Sequence, residues 1–142
     1  MDIPVSAFGA TVSEGKMYFF KSDCPVGVSD HIHVCIKRGN TVFLFATGSS
    51  QVEKAIQRAK VLNFDLNTYP VFPSDGTNML KKDQTYIDCN NPVELSHEEF
   101  SNLLNNNKIY ELPGHFDANS VAIIIKGVKC SKIVEQRIKD ML

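Results

Sequence analysis

The chain lacks any apolar run near the roughly 20 residues that cross a bilayer, which argues against an integral membrane protein. It also lacks a strong net charge: 15 Lys and Arg against 16 Asp and Glu give −1, so there is no general attraction to nucleic acid. Its N-terminus has neither the basic nor the apolar region of a signal peptide, which predicts a cytoplasmic protein. With no internal repeat or linker, the 142 residues predict a single domain over 1–142.

The sequence has four cysteines but no Cys-x-x-Cys pair. This spacing argues against a zinc finger and against a redox motif. Cys35 and Cys89 lie in strand-like segments, so we interpret them as free buried thiols in a reducing compartment. We expect no cofactor.

A predicted β-hairpin covers Asp30–Ser50, with its turn at Lys37–Asn40. Side chains alternate between the two faces of a strand, so three polar ones share a face of the first strand: His31, His33 and Cys35. The second strand ends in a hydroxyl-rich corner at 47–50. We expect the imidazoles and these hydroxyls to open into a common pocket.

The other predicted elements place helices mostly late in the chain. The predicted strands are 16–21, 84–89 and 109–112, and the predicted helices are 50–62, 96–105, 118–126 and 131–142. Capping boxes at Ser50/Glu53 and Ser96/Glu99 start two of the helices. The β-branched run of 118–126 favours a strand, but Asp117 as a cap and Gly127 as a stop favour a helix. Residues 63–80 stay unassigned, and the order predicts an α+β fold built on a small barrel.

Charge is distributed unevenly along the chain. Residues 83–117 carry a net −6, and residues 126–142 carry a net +3. We expect a modest basic patch if the C-terminal tail packs beside Lys37 and Arg38, although solvated faces explain both runs equally well.

Four segments follow one another in a recognisable order: 31–36, 43–50, 80–88 and 127–131 before an amphipathic helix. Over most of residues 16–142 this order resembles the small SH3-like barrels of the MazF/PemK toxin superfamily. The resemblance implies an RNA endonuclease that dimerises and is blocked by an antitoxin-like protein. The family places a Thr or Ser at the end of the second strand, which Thr47 matches, with Ser49 or Ser50. It also places an arginine on the first strand, where this chain has His31 and His33.

RNA cleavage through the 2′-hydroxyl needs a base, an acid and a group that stabilises the charge on the phosphate, and it needs no metal. Imidazoles suit the two proton transfers because their pKa lies near neutrality. The predicted catalytic residues are His31, His33, Thr47 and Ser49, and the predicted substrate-binding residues are Lys37, Arg38 and Ser50. These assignments imply that RNA is the substrate.

Three other interpretations stay open. In the first, the barrel is non-catalytic and binds a protein partner or nucleic acid, with the histidines on the wet face of a half-exposed strand. In the second, His31, His33 and Cys35 bind a metal with Asp23, Cys24 or Asp30, although side chains on one strand converge poorly. In the third, Cys24 is a nucleophile beside His31 or His33, although the loop at Pro25 offers no helix N-terminus for its thiolate.

Overall fold

The computed structural model describes residues 12–22 and 30–142. Six antiparallel strands form one sheet in the order β4-β5-β3-β2-β1-β6. The strands are β1 Lys16–Phe20, β2 His31–Arg38, β3 Val42–Ser49, β4 Val71–Pro73, β5 Gln84–Ser96 and β6 Ile109–His115. The helices are α1 Val52–Leu62, α2 His97–Asn105, α3 Ala118–Cys130 and α4 Gln136–Asp140, with a 3-10 turn at Leu66–Thr68. The α+β class, the helix after the hairpin and the helices near the C-terminus are confirmed. The last helix is shorter than the predicted 131–142, because Ser131 ends α3 and α4 begins only at Gln136.

Each face of the sheet packs into its own core. On one face, β-strand side chains such as Val34, Ala46 and Ile87 pack with Ile124 and Val128 of α3. On the other face, an aromatic cluster is covered by Phe100 of α2; its sheet members are Tyr18, Phe20, Phe43 and Phe45. The alternation predicted for β2 therefore separates two buried faces, not a buried face and a wet one.

The sheet curls into a half-barrel. Its two edges approach each other through the 74–80 segment: the His115 N–H donates to the Thr77 carbonyl over 3.1 Å. A Cβ at Gly114 would lie 2.0 Å from the Asn78 carbonyl oxygen, so glycine permits this close approach. The rings of Phe72 and Phe116 pack edge to face, 5.0 Å apart, inside the curl. The edges are thus joined by loop and side-chain contacts.

The two predicted capping boxes have different outcomes in the structure. The capping box at Ser96 and Glu99 is confirmed, with both reciprocal hydrogen bonds present. The capping box at Ser50 and Glu53 is wrong: α1 begins at Val52, and its N-cap residue Gln51 makes no side-chain capping bond. Because β3 continues to Ser49, the chain turns into α1 through the Ser50 carbonyl, which accepts the Val52 N–H over 2.9 Å.

The helical prediction for 118–126 is confirmed, and Asp117 caps α3 by accepting the Ser120 N–H over 2.7 Å. Gly127, however, does not end the helix, which runs to Cys130. A Cβ there would lie 2.7 Å from both the Asn67 carbonyl oxygen and the Cys89 sulfur, so the glycine allows close packing on the sheet. None of the helices in the described part of the chain is long and apolar enough to span a membrane.

Candidate functional site

His33 lies inside the aromatic core, with an exposed fraction of 0%. Its ring stacks on Phe20 with centroids 3.7 Å apart and an interplanar angle of 16°. Nδ1 is 2.9 Å from the His31 carbonyl oxygen, which only accepts, so Nδ1 carries the proton and donates. Nε2 then accepts the Ser22 hydroxyl over 3.0 Å. Burial lowers the pKa of His33 from 6.5 to about 4, so the ring is neutral at pH 7.

Thr47 lies directly opposite His33 on the neighbouring strand, as the common-face prediction required. It is 2% exposed, and its Oγ1 has no hydrogen-bond partner among the residues that the structure describes. Asp88 lies opposite Thr47 on the other side, and its carboxylate accepts hydrogen bonds from the Asn90 N–H and the Asn91 amide. Burial raises the pKa of Asp88. Sheet pairing thus aligns His33, Thr47 and Asp88 in one buried row.

The expectation of an open pocket is wrong for His33 and Thr47, because both side chains are buried, at 0% and 2% exposed. The alternative that His33 lies on a wet face is wrong for the same reason. His31 and Ser49 are half-buried on the same face as Thr47, and the Ser49 hydroxyl accepts the Gln51 N–H over 3.3 Å. A catalytic role for these four residues stays a prediction.

A β-bulge just before Lys37 determines which face of the sheet each of the two predicted cations occupies. The register shifts between Cys35 and Lys37, so that Lys37 pairs with Leu44 and Arg38 with Phe43. Because Leu44 and Phe43 belong to opposite cores, Lys37 and Arg38 point to opposite faces of the sheet. The two side chains therefore do not converge on one phosphate.

The basic patch also includes acidic groups. Arg137 of the C-terminal tail forms an ion pair with Glu94, at 3.0 Å, and another with Glu135 at 3.5 Å. Glu94 pairs across the sheet with Leu44, so it lies on the same face as Lys37. The tail and Lys37 do share a face, but a carboxylate lies between them.

The metal and thiol alternatives find no support in the described residues. No group of three His, Cys, Asp or Glu side chains within residues 12–22 and 30–142 has the geometry to hold a metal ion. Burial raises the pKa of Cys35 to about 12, so its thiol is protonated at neutral pH. Asp23 and Cys24 lie outside the described residues.

Ser50, the remaining predicted residue, is exposed and lines a cleft of about 830 Å³ at the start of α1. Two cations and two anions also line this cleft: Lys54, Lys82, Glu53 and Asp83. Because these charges balance, the cleft has no net attraction for a phosphate.

A second concavity, which we call the α2 groove, has a volume of about 450 Å³. Its apolar side chains are Phe20, Val93, Leu95 and Leu103, and its polar ones are Lys21, Ser22, Glu94, Glu99, Asn102 and Asn106. The α2 members recur at helical spacing along one side of the helix. The sequence patterns above did not predict this groove; the spacing of Glu99, Asn102 and Asn106 around Leu103 was the available signal.

No family model matches the chain, and no curated protein matches it.

Proposed function

We propose that the chain is a non-catalytic half-barrel that binds a short segment of a protein partner in the α2 groove. The observation that carries the proposal is the composition of this groove. Val93, Leu95 and Leu103 are only partly buried although they border the aromatic core. Apolar side chains left accessible beside a polar rim are typical of protein-binding surfaces.

The electrostatics of the groove favour a protein over RNA as the occupant. Two carboxylates line it, Glu94 and Glu99, with one cation, Lys21. The Glu94 carboxylate lies on the other face of the sheet and is paired there with Arg137. RNA binding depends on cations that neutralise phosphates, and this rim has no excess of them because Lys21 is offset by Glu99. A protein segment with apolar side chains complements the apolar lining of the groove better.

We rank RNA cleavage as the second candidate function because of the burial and the low pKa of His33. An acid or base in catalysis needs contact with the reacting atoms and a pKa near the working pH. A ring with an exposed fraction of 0% and a pKa of about 4 meets neither condition at pH 7. The ribonuclease hypothesis implied by the MazF/PemK resemblance then depends on His31 alone.

The buried thiols of Cys35 and Cys89 suit a reducing compartment, so we place the protein and its partner in the cytoplasm. The volume of the groove suits a few side chains and not a whole domain. We therefore expect micromolar binding that a single groove substitution abolishes.

The test compares tagged wild-type protein with Leu103→Glu and with the control Ile123→Glu. Ile123 is 47% exposed on α3, which packs on the opposite face of the sheet. We expect quantitative mass spectrometry of captured host proteins to identify one that wild type and Ile123→Glu retain and Leu103→Glu loses. Equal retention by all three overturns the proposal.

A parallel assay incubates the purified protein with RNA in the presence of a chelator. We expect the RNA to stay intact. Cleavage that disappears in His31→Ala would overturn the non-catalytic proposal and favour the endoribonuclease. Sedimentation of wild type and Leu103→Glu separates a second copy of the chain from a different partner: a dimer lost only in Leu103→Glu would make the chain its own partner.

A further inference from the structure

We infer that the partner segment binds as an added β-strand along the part of β5 that borders the α2 groove. This inference rests on the proposed function and specifies the conformation of the bound segment. It combines three observations: an edge of β5, the direction of its backbone groups, and the side chains beside it.

The edge arises because β4 is much shorter than β5. β4 pairs only with Gln84–Tyr86. From Val93 to Ser96, β5 pairs with β3 on one side, and no other strand in the described parts of the chain pairs with it there. This segment is therefore an edge of the sheet, although β5 is interior at its other end.

The hydrogen bonds at the end of β5 fix the direction of its backbone groups. The His97 N–H donates to the Thr41 carbonyl, in the same register that pairs Leu95 with Phe43 and Val93 with Phe45. Hydrogen-bonded pairs recur at every second residue of an antiparallel ladder. Val93 and Leu95 therefore direct their N–H and C=O groups to β3.

Glu94 and Ser96 then direct their backbone groups away from β3. The Ser96 N–H agrees with this pattern, since it donates to the Glu99 carboxylate over 3.0 Å. The N–H and C=O of Glu94 thus point towards the open edge, and an extended peptide can donate to one and accept from the other.

Side chains beside the edge define the chemistry of the peptide. Val93 and Leu95 lie on the face that α2 covers, and Leu103 lies beside them in the groove. Alternate residues of an added strand would contact these three, so they should be apolar. The residues between would lie on the opposite face beside Glu94, where lysine or arginine would share this carboxylate with Arg137.

The edge offers few hydrogen bonds, since Pro92 has no N–H and the Ser96 N–H is already used. Affinity then depends on backbone pairing and on the groove together. A peptide that matches only one of them should bind much more weakly.

The probe for the test is a fluorescein-labelled hexapeptide of alternating lysine and valine, titrated by fluorescence anisotropy. Two further peptides carry N-methyl groups on every lysine or on every valine amide. Alternate amides of a strand point to opposite edges, so one methylated peptide loses the N–H that faces β5 and the other does not. We expect one of them to bind at least tenfold more weakly and the other to bind like the parent.

On the protein side, Glu94→Pro removes the outward N–H, and Glu94→Gln removes the charge but keeps the N–H. We expect at least a tenfold loss of affinity for Glu94→Pro relative to Glu94→Gln. Thermal unfolding checks that both variants fold. If Glu94→Pro does not fold, the comparison of the two methylated peptides alone tests strand addition.

Equal binding of both methylated peptides overturns strand addition. If Leu103→Glu still abolishes that binding, the groove remains a binding site and the proposed function stands. Absence of saturable binding below about 1 mM also overturns strand addition for this peptide class, whereas the proposed function is decided by the capture experiment.

Discussion

Acidification should destabilise this protein through one buried side chain, His33. Its pKa is 6.5 in the unfolded chain and about 4 in the folded one, because burial disfavours the charged ring. A folded-state pKa below the unfolded value means that the unfolded chain binds the proton first. The stability that the neutral ring provides is complete above pH 6.5 and is lost as the pH falls towards 4.

The size of this effect follows from the two pKa values. One pKa unit corresponds to about 1.4 kcal/mol, so protonation of His33 should remove about 2 kcal/mol by pH 5 and about 3 kcal/mol below pH 4. This is a large fraction of the stability of an ordinary domain. Asp88, whose pKa is raised by burial, acts in the opposite direction because its neutral form is favoured on folding.

The assay is urea unfolding followed by circular dichroism at several pH values between 7 and 4.5, for wild type and for His33→Leu. His33→Leu keeps an apolar side chain between Phe20 and Phe45 but cannot titrate. The difference between the two pH profiles cancels the contribution of Asp88 and of every other group. We expect wild type to lose about 2 kcal/mol more than His33→Leu between pH 7 and pH 5. Parallel profiles would refute the assignment of the acid sensitivity to His33.

Two further substitutions test the close contacts that hold the half-barrel. Gly127→Ala should destabilise the protein by about 1–3 kcal/mol, because α3 must move off the sheet to make room for the Cβ. Gly76→Ala is the control: a Cβ there meets nothing within 4 Å, so its urea midpoint should equal that of wild type. Equal midpoints for the two variants would contradict the packing argument. Asn78 is 5% exposed, accepts the Asp75 and Leu80 N–H groups and donates to the Pro73 carbonyl, so Asn78→Ala should cost about 2–4 kcal/mol in the same assay. The exposed residue Asn119 gives the matched control, and an equal loss in Asn119→Ala would show that the Asn78 hydrogen bonds are unimportant.

Local sequence signals predicted the elements whose stabilising contacts are also local. The capping box at Ser96 formed because its two hydrogen bonds span only three residues. The length of β5 was not predictable in this way, because Asn90-Asn91-Pro92 is typical of a turn. In the fold the Asn90 side chain donates to Thr68 and accepts from Ser131, and these two residues lie 22 and 41 positions away. Such distant partners keep β5 continuous to Ser96, and no pattern within the strand indicates them.

The sequence predicted which residues of the candidate site share a face of the sheet, but not whether that face is exposed to solvent. A period of two correctly placed His33 and Thr47 on one face of the sheet. The same period does not say what covers that face, which depends on where α2 packs. Phe100 of α2 belongs to the aromatic core beside His33, and this helix lies more than 60 positions later in the chain. The same helix forms the groove, so burial of the expected site and creation of the new one have a common cause.

Ser22 connects the buried histidine to the groove. Its hydroxyl donates to His33 Nε2, and Ser22 also lines the α2 groove beside Phe20, the ring on which His33 stacks. A neutral His33 therefore positions one end of the groove, which gives this imidazole a role without proton transfer to a substrate. We expect Ser22→Ala to weaken capture of the partner while the Ile123→Glu control retains it. Unchanged partner capture in Ser22→Ala would contradict this role of His33.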